Sequence, residues 1–207
     1  FADAYEVVYR GKAAGVLEHG LFLPANPDTL VEIVDSVSQD LLSQWFEIKY
    51  SDYPSFRKIE RSFLTKENMH TYVKDALNYL NGKRTRAGEA ILDGLVLLDG
   101  EVNPTTRTSG YARWITDFLD KKGNKVVNNH ELIDVIHTVQ GTEDKRLTKK
   151  FNLEPELLVV ILGALIQSGE IVVTIGGKTY EAMNFSEFVQ LPIEDITYFT
   201  HIKKPSG

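Results

Sequence analysis

The chain has no cysteine among its 207 residues. Disulfide frameworks and thiolate metal sites are thereby excluded, and a reducing compartment is the natural setting, so a cytoplasmic location is expected. No apolar run approaches the roughly 20 residues that span a bilayer, so neither a membrane-spanning helix nor a membrane partner is expected. There is no G-x-x-x-x-G-K-[ST] loop to cradle nucleotide phosphates, no G-x-S-x-G elbow and no H-E-x-x-H pair. A basic excess is missing too, with 23 Lys and Arg against 29 Asp and Glu. The deficit is shared: residues 1–100 hold 11 basic and 15 acidic groups, and residues 101–207 hold 12 and 14. Nonspecific affinity for DNA comes largely from cations displacing condensed counterions, so the chain starts at a disadvantage as an autonomous DNA binder. An initiator Met and a signal peptide are absent, and the pattern is already under way at Phe1. The chain reads as a piece of something longer.

What is present describes a globular protein. The apolar fraction of 43% and charged fraction of 25% are ordinary, and a chain of this length buries roughly 70% of its unfolded surface. Phe1, Ala4, Tyr5 and Val8 fall at helical spacing and suggest the end of an incoming helix, before Pro24 and Pro27 mark a loop. Asp28 is read as the N-cap of a long helix with Leu30, Val34, Val37, Leu41 and Trp45 on one stripe. Residues 48–64 read as an extended segment packed by its aromatics. Thr65 opens a helix that ends at Gly82, and a nearly all-apolar helix is expected over residues 87–98, stopped by Gly100. The stretch 101–110, with Pro104 and three threonines, is the best internal boundary.

Beyond it the spacing predicts a helix over 109–122 with Gly123 as its stop, and a short strand at Lys125, Val126 and Val127. Asn128 and Glu131 resemble a capping box for a second helix with Leu132, Val135, Ile136 and Val139 inward. A polar connection over 140–152 leads to a third helix with Pro155 at its first position. Strands at 170–175 and 178–182 follow, joined at Gly176 and Gly177. That is the order of a winged helix. The expected fold is mainly α, in the α+β class. A helical part spans residues 1–103, and residues 104–207 form a winged-helix-like domain with a hairpin wing and a C-terminal extension.

A recognition helix needs side chains that read base edges, yet residues 157–166 of the third helix are unbroken apolar or small sequence with carboxylates at their start. Burial is the better reading. The most basic window is Lys145, Arg146, Lys149 and Lys150, next to Phe151. It could contact phosphates, and with Lys178 at the wing tip it is the candidate nucleic-acid or partner contact; the plainer alternative is a solvated face, since Glu143 and Asp144 precede it. Arg57, Lys58 and Arg61 among aromatics, and Lys83, Arg84 and Arg86 at a helix start, are weaker clusters. The histidines, His19, His70, His130, His137 and His201, are scattered and complete no metal or catalytic arrangement.

Three stretches together resemble a known family. They are Tyr53-Pro54-Ser55-Phe56 leading through Leu64-Thr65 to Asp75-Ala76-Leu77, then Ala90-Ile91-Leu92-Asp93-Gly94-Leu95 with Leu97-Leu98-Asp99-Gly100-Glu101, and finally Leu153-Glu154-Pro155-Glu156-Leu157-Leu158-Val159-Val160 with Ser168-Gly169-Glu170-Ile171-Val172 and His201-Ile202-Lys203-Lys204-Pro205. In that order they are similar to the middle region of large ATP-binding proteins of prokaryotic phage-defence islands, the BREX-type ATPase family. The resemblance implies a P-loop ATPase parent whose ATP and Mg lie elsewhere, with no cofactor and no catalytic residue in this piece. It implies as partners the other domains of the parent chain or other defence proteins. Two functions are therefore expected to compete: a noncatalytic scaffold module, and a winged-helix nucleic-acid binder with weak, nonspecific affinity for DNA.

Overall fold

A computed structural model describes residues 6–9, 12–15, 29–59, 64–123, 125–133 and 147–205. Backbone contacts divide the chain into two compact units, Phe1–Ser51 and Asp52–Gly207.

In the first unit, β1 (Glu6–Tyr9) pairs antiparallel with β2 (Lys12–Gly15), Glu6 opposite Gly15 and Tyr9 opposite Lys12. The helical reading fails at Val8, which lies in a strand; Phe1, Ala4 and Tyr5 lie outside the described residues. Val7, Val8 and Tyr9 are branched or aromatic types that suit a pleated surface, and this preference prevails over a short accidental spacing. Helix α1 (Leu30–Lys49) is capped by Thr29, one residue after the expected Asp28. The Thr29 hydroxyl accepts from the Glu32 amide while the Glu32 carboxylate accepts from the Thr29 amide. Thr29 wins because glutamate stands three residues after it. Of the expected inward stripe only Val37 is buried, joined by Ile33; Leu30, Val34 and Trp45 are exposed.

The second unit is mainly helical with one small antiparallel sheet. Helix α2 (Lys66–Leu80) follows Thr65 and closes at Asn81 and Gly82, the latter with φ of 91°. Helix α3 (Arg86–Gly94) is capped by the Thr85 hydroxyl, which accepts from the Gly88 amide. It stops four residues short of the expected end. Gly94 lies so close to Phe56 that a Cβ there would be 2.3 Å from the ring, and the chain then turns through Val96 at φ 56°. Leu95 and Leu97 are nevertheless fully buried. At Leu95 and Leu97 the apolar run marks burial and not helix, whereas Val96 is exposed.

The stretch 101–110 lies inside this unit and is stitched to it. Leu98 bridges Pro104, the Tyr79 hydroxyl donates to the Val102 carbonyl at 2.8 Å, and the buried Ser109 hydroxyl donates to the Leu95 carbonyl at 2.8 Å. The contacts therefore part at residue 51 and not at 103. Ser109 also caps α4 (Gly110–Lys122), which ends at Gly123 as expected. Strand β3 (Val127–Asn128) leads into α5 (Asn129–Leu132) through the Asn128–Glu131 capping box. The expected continuation to Val135, Ile136 and Val139 lies outside the described residues. Helix α6 (Leu147–Phe151) occupies part of the stretch read as a connection, because Leu147 and Phe151, four apart, both point inward.

Helix α7 (Pro155–Gln167) is the centre of the core, and every residue from 157 to 166 is buried. Its Gly163 lets α2 approach, since a Cβ would sit 2.6 Å from Leu77 Cδ2. The chain then forms the expected hairpin, β4 (Val172–Ile175) and β5 (Lys178–Tyr180), across Gly176 and Gly177 at φ 55° and 82°. Positive φ at both loop positions is what a type I′ turn requires. After α8 (Phe185–Gln190) and α9 (Ile193–Thr197), an unforeseen strand β6 (His201–Lys203) enters between β3 and β4, giving the order β3-β6-β4-β5. One row of paired residues, Val127, Ile202, Val173 and Tyr180, crosses all four strands and is buried throughout.

Candidate functional site

The basic residues singled out by sequence do not form one described patch. Lys145 and Arg146 lie outside the described residues, as does the Lys149 side chain on α6. Lys150 is exposed, with its ammonium 4.8 Å from the centre of the Phe151 ring. Lys178 begins β5 directly after the turn, but it is ion-paired with Glu187 of α8 and lies over Tyr180. Its hydrogen bond to Glu187 is the main reason its pKa stands above the ordinary lysine value. A lysine already matched by a carboxylate is a poor phosphate anchor. Helix α7 offers no base-reading face, since its middle is wholly interior.

The start of α7 is a half-buried polar junction. The Tyr53 hydroxyl bonds both oxygens of Glu154 at 3.1 and 3.0 Å. Burial is the largest effect on each, raising the Glu154 carboxyl and the Tyr53 phenol above their usual values. Tyr111, whose hydroxyl donates to the Asp52 carbonyl at 3.0 Å, is pushed up to about 12, first by burial and then by Asp52. Nearby, His70 of α2 stands 3.6 Å from Glu156 of α7 and 3.1 Å from Glu194 of α9, tying three helices. Among the described residues no group of His, Asp and Glu has the arrangement to hold a metal ion.

A concave polar feature lies elsewhere. An open cleft of about 660 Å³ is bounded by the loop at 104–107, by Arg113 and Thr116 of α4, and by residues 167, 168 and 170 after α7. Its walls are held by internal bonds. Arg113 Nη2 donates to the Arg107 carbonyl at 3.0 Å, Thr116 donates to the Arg113 carbonyl at 2.9 Å, and Glu170 accepts from Thr106 and from Ser168. Among the described residues neither the Arg107 nor the Arg113 guanidinium is ion-paired. The loop leading into this wall holds Val96 at φ 56° and Val102 at φ 63°, both β-branched residues in the left-handed region. Such conformations persist only where surrounding bonds over-determine them.

The sequence reading passed over Arg107, Arg113 and Glu170. A signal existed: α4 carries no acid in its first turn and has arginines on either side of its cap, against the preference of the helix dipole. The convergence with Glu170 had none, because it depends on how α7 ends against α4.

The sequence profile of the fourth domain of a family of unknown function (DUF6079) matches residues 69–204, and the chain belongs to that family. No curated protein and no solved structure matches it.

Proposed function

We propose that this chain is a noncatalytic interaction and scaffold module of a large, cytoplasmic P-loop ATP-binding protein of phage defence, resembling the BREX-type ATPases. ATP and Mg would be held by another part of the parent. The observation that carries the reading is the apolar face of α1, where Leu30, Val31, Val34, Leu42 and Ile48 are all more than half exposed. Large apolar side chains left exposed along one side of a helix suit a protein contact. Membership of a family in which this is the fourth domain fits a part that works against neighbouring domains. The partners would be those domains, or other defence proteins.

The rival is a winged-helix nucleic-acid binder, supported by the order of helices, strand and hairpin over residues 110–180. It is weakened by the burial of α7 and the pairing of Lys178 with Glu187. Fluorescence anisotropy with several duplexes at two salt concentrations separates the two. The scaffold reading expects weak binding without sequence preference that falls steeply with salt. Tight, sequence-selective binding that survives physiological salt and removal of Lys145, Arg146, Lys149 and Lys150 would overturn it.

A further inference from the structure

We infer that the cleft between residues 104–107, α4 and the end of α7 binds the phosphate group of a small, polar phosphorylated ligand. The inference stands apart from the scaffold role and does not need it. The cleft carries two cations, Arg107 and Arg113, against one carboxylate, Glu170, so its local charge is positive although the chain is acidic. The carboxylate is engaged by the hydroxyls of Thr106 and Ser168, whereas neither guanidinium meets an acid among the described residues. Arg107 is freest. Its carbonyl and amide are fixed by Arg113 and by the Thr105 hydroxyl, and its guanidinium makes no described hydrogen bond.

The donor set selects the ligand class. Guanidinium forks match oxyanions in bidentate geometry, and the unengaged Arg107 fork beside the N–H groups that Arg113 does not spend on the Arg107 carbonyl suits a tetrahedral oxyanion, whose oxygens lie in more than one plane, better than a planar carboxylate. A phosphate, with three terminal oxygens, is such an oxyanion. The volume falls within the range of small-ligand sites, about 300–1,000 Å³. Such sites are usually mostly apolar, and this one is lined, apart from Pro104, by threonines, serine, glutamine, Glu170 and the two arginines. The rest of the ligand must then be polar, as a sugar is, without a large apolar body.

The test is amide chemical-shift titration of the labelled chain with ribose 5-phosphate, with ribose as the uncharged control and a short single-stranded oligonucleotide as the chain-borne source of phosphate. Ribose 5-phosphate should give saturable shifts at Thr105, Thr106, Arg107, Arg113 and Ser168, and ribose none. Arg107→Gln should weaken binding by about tenfold, the loss of one charge-assisted contact. It should leave the thermal midpoint unchanged, because that side chain holds nothing else. Glu170→Gln, which keeps an acceptor for Thr106 and Ser168 while removing the negative charge, should tighten binding several-fold. Non-saturable shifts, an equal response to ribose, or indifference to Arg107→Gln would each overturn the assignment. Tighter, strongly salt-dependent binding of the oligonucleotide at the same residues would overturn the small-molecule source.

Discussion

At the scale of single residues, the glycines in helices do the least replaceable packing. A Cβ on Gly88 would lie 2.4 Å from the Asp75 carbonyl oxygen, so α2 and α3 touch backbone to backbone. At Gly163 the obstacle is instead the tip of Leu77, which can rotate away. Gly88→Ala should therefore cost more than Gly163→Ala, with Gly88→Ala at about 1–3 kcal/mol or above. Reversible denaturant unfolding of the two variants checks the ranking, and equal losses would contradict it. Neither glycine could be weighted from sequence. Both stand inside helical patterns, where glycine reads as a small penalty, and only the partner helix makes it indispensable. Ser109, by contrast, is legible as the start of α4, although neither its capping role nor its bond to Leu95 is.

At the scale of elements, apolar content identified what is buried better than what is helical. Residues 157–166 are interior as expected, and Leu165→Ala should cost roughly 2–5 kcal/mol, with a small loss in a denaturation series refuting full packing. The same reasoning overextended α3, where Leu95 and Leu97 are buried from a loop. Elements bounded by local chemistry were read well: α4 between Ser109 and Gly123, α7 behind Pro155, and the hairpin at Gly176 and Gly177. Elements defined by distant partners were not. Strand β6 is three residues long, and nothing in His201-Ile202-Lys203 announces that Val127 and Val173 flank it. The cleft is illegible for the same reason, since its walls come from two loops and a helix whose meeting is set by the core.

At the scale of the whole molecule, two phenols and a carboxyl, all raised by burial, make the protein sensitive to rising pH. Burial raises Tyr53, Tyr111 and Glu154 above their unfolded values, so each favours its protonated form in the native state. The stability they contribute is complete below the unfolded pKa and is lost as pH rises through the folded one. For Tyr111 that window runs from 10.0 to about 12. Urea midpoints should fall across it, and Tyr111→Phe should make the fall shallower; an unchanged slope would place the alkaline sensitivity elsewhere. The sheet carries a different consequence. The strand synthesised last, β6, occupies an interior position of the sheet, between β3 and the hairpin made before it. On a ribosome, the partner that β3 has among the described residues therefore follows only after α7, the hairpin, α8 and α9 are made, and long-range pairing of that kind is slow. The sheet cannot close until residues 201–203 are made, and until then β4 keeps the edge that β6 will cover unpaired, open to a chaperone or a neighbouring chain.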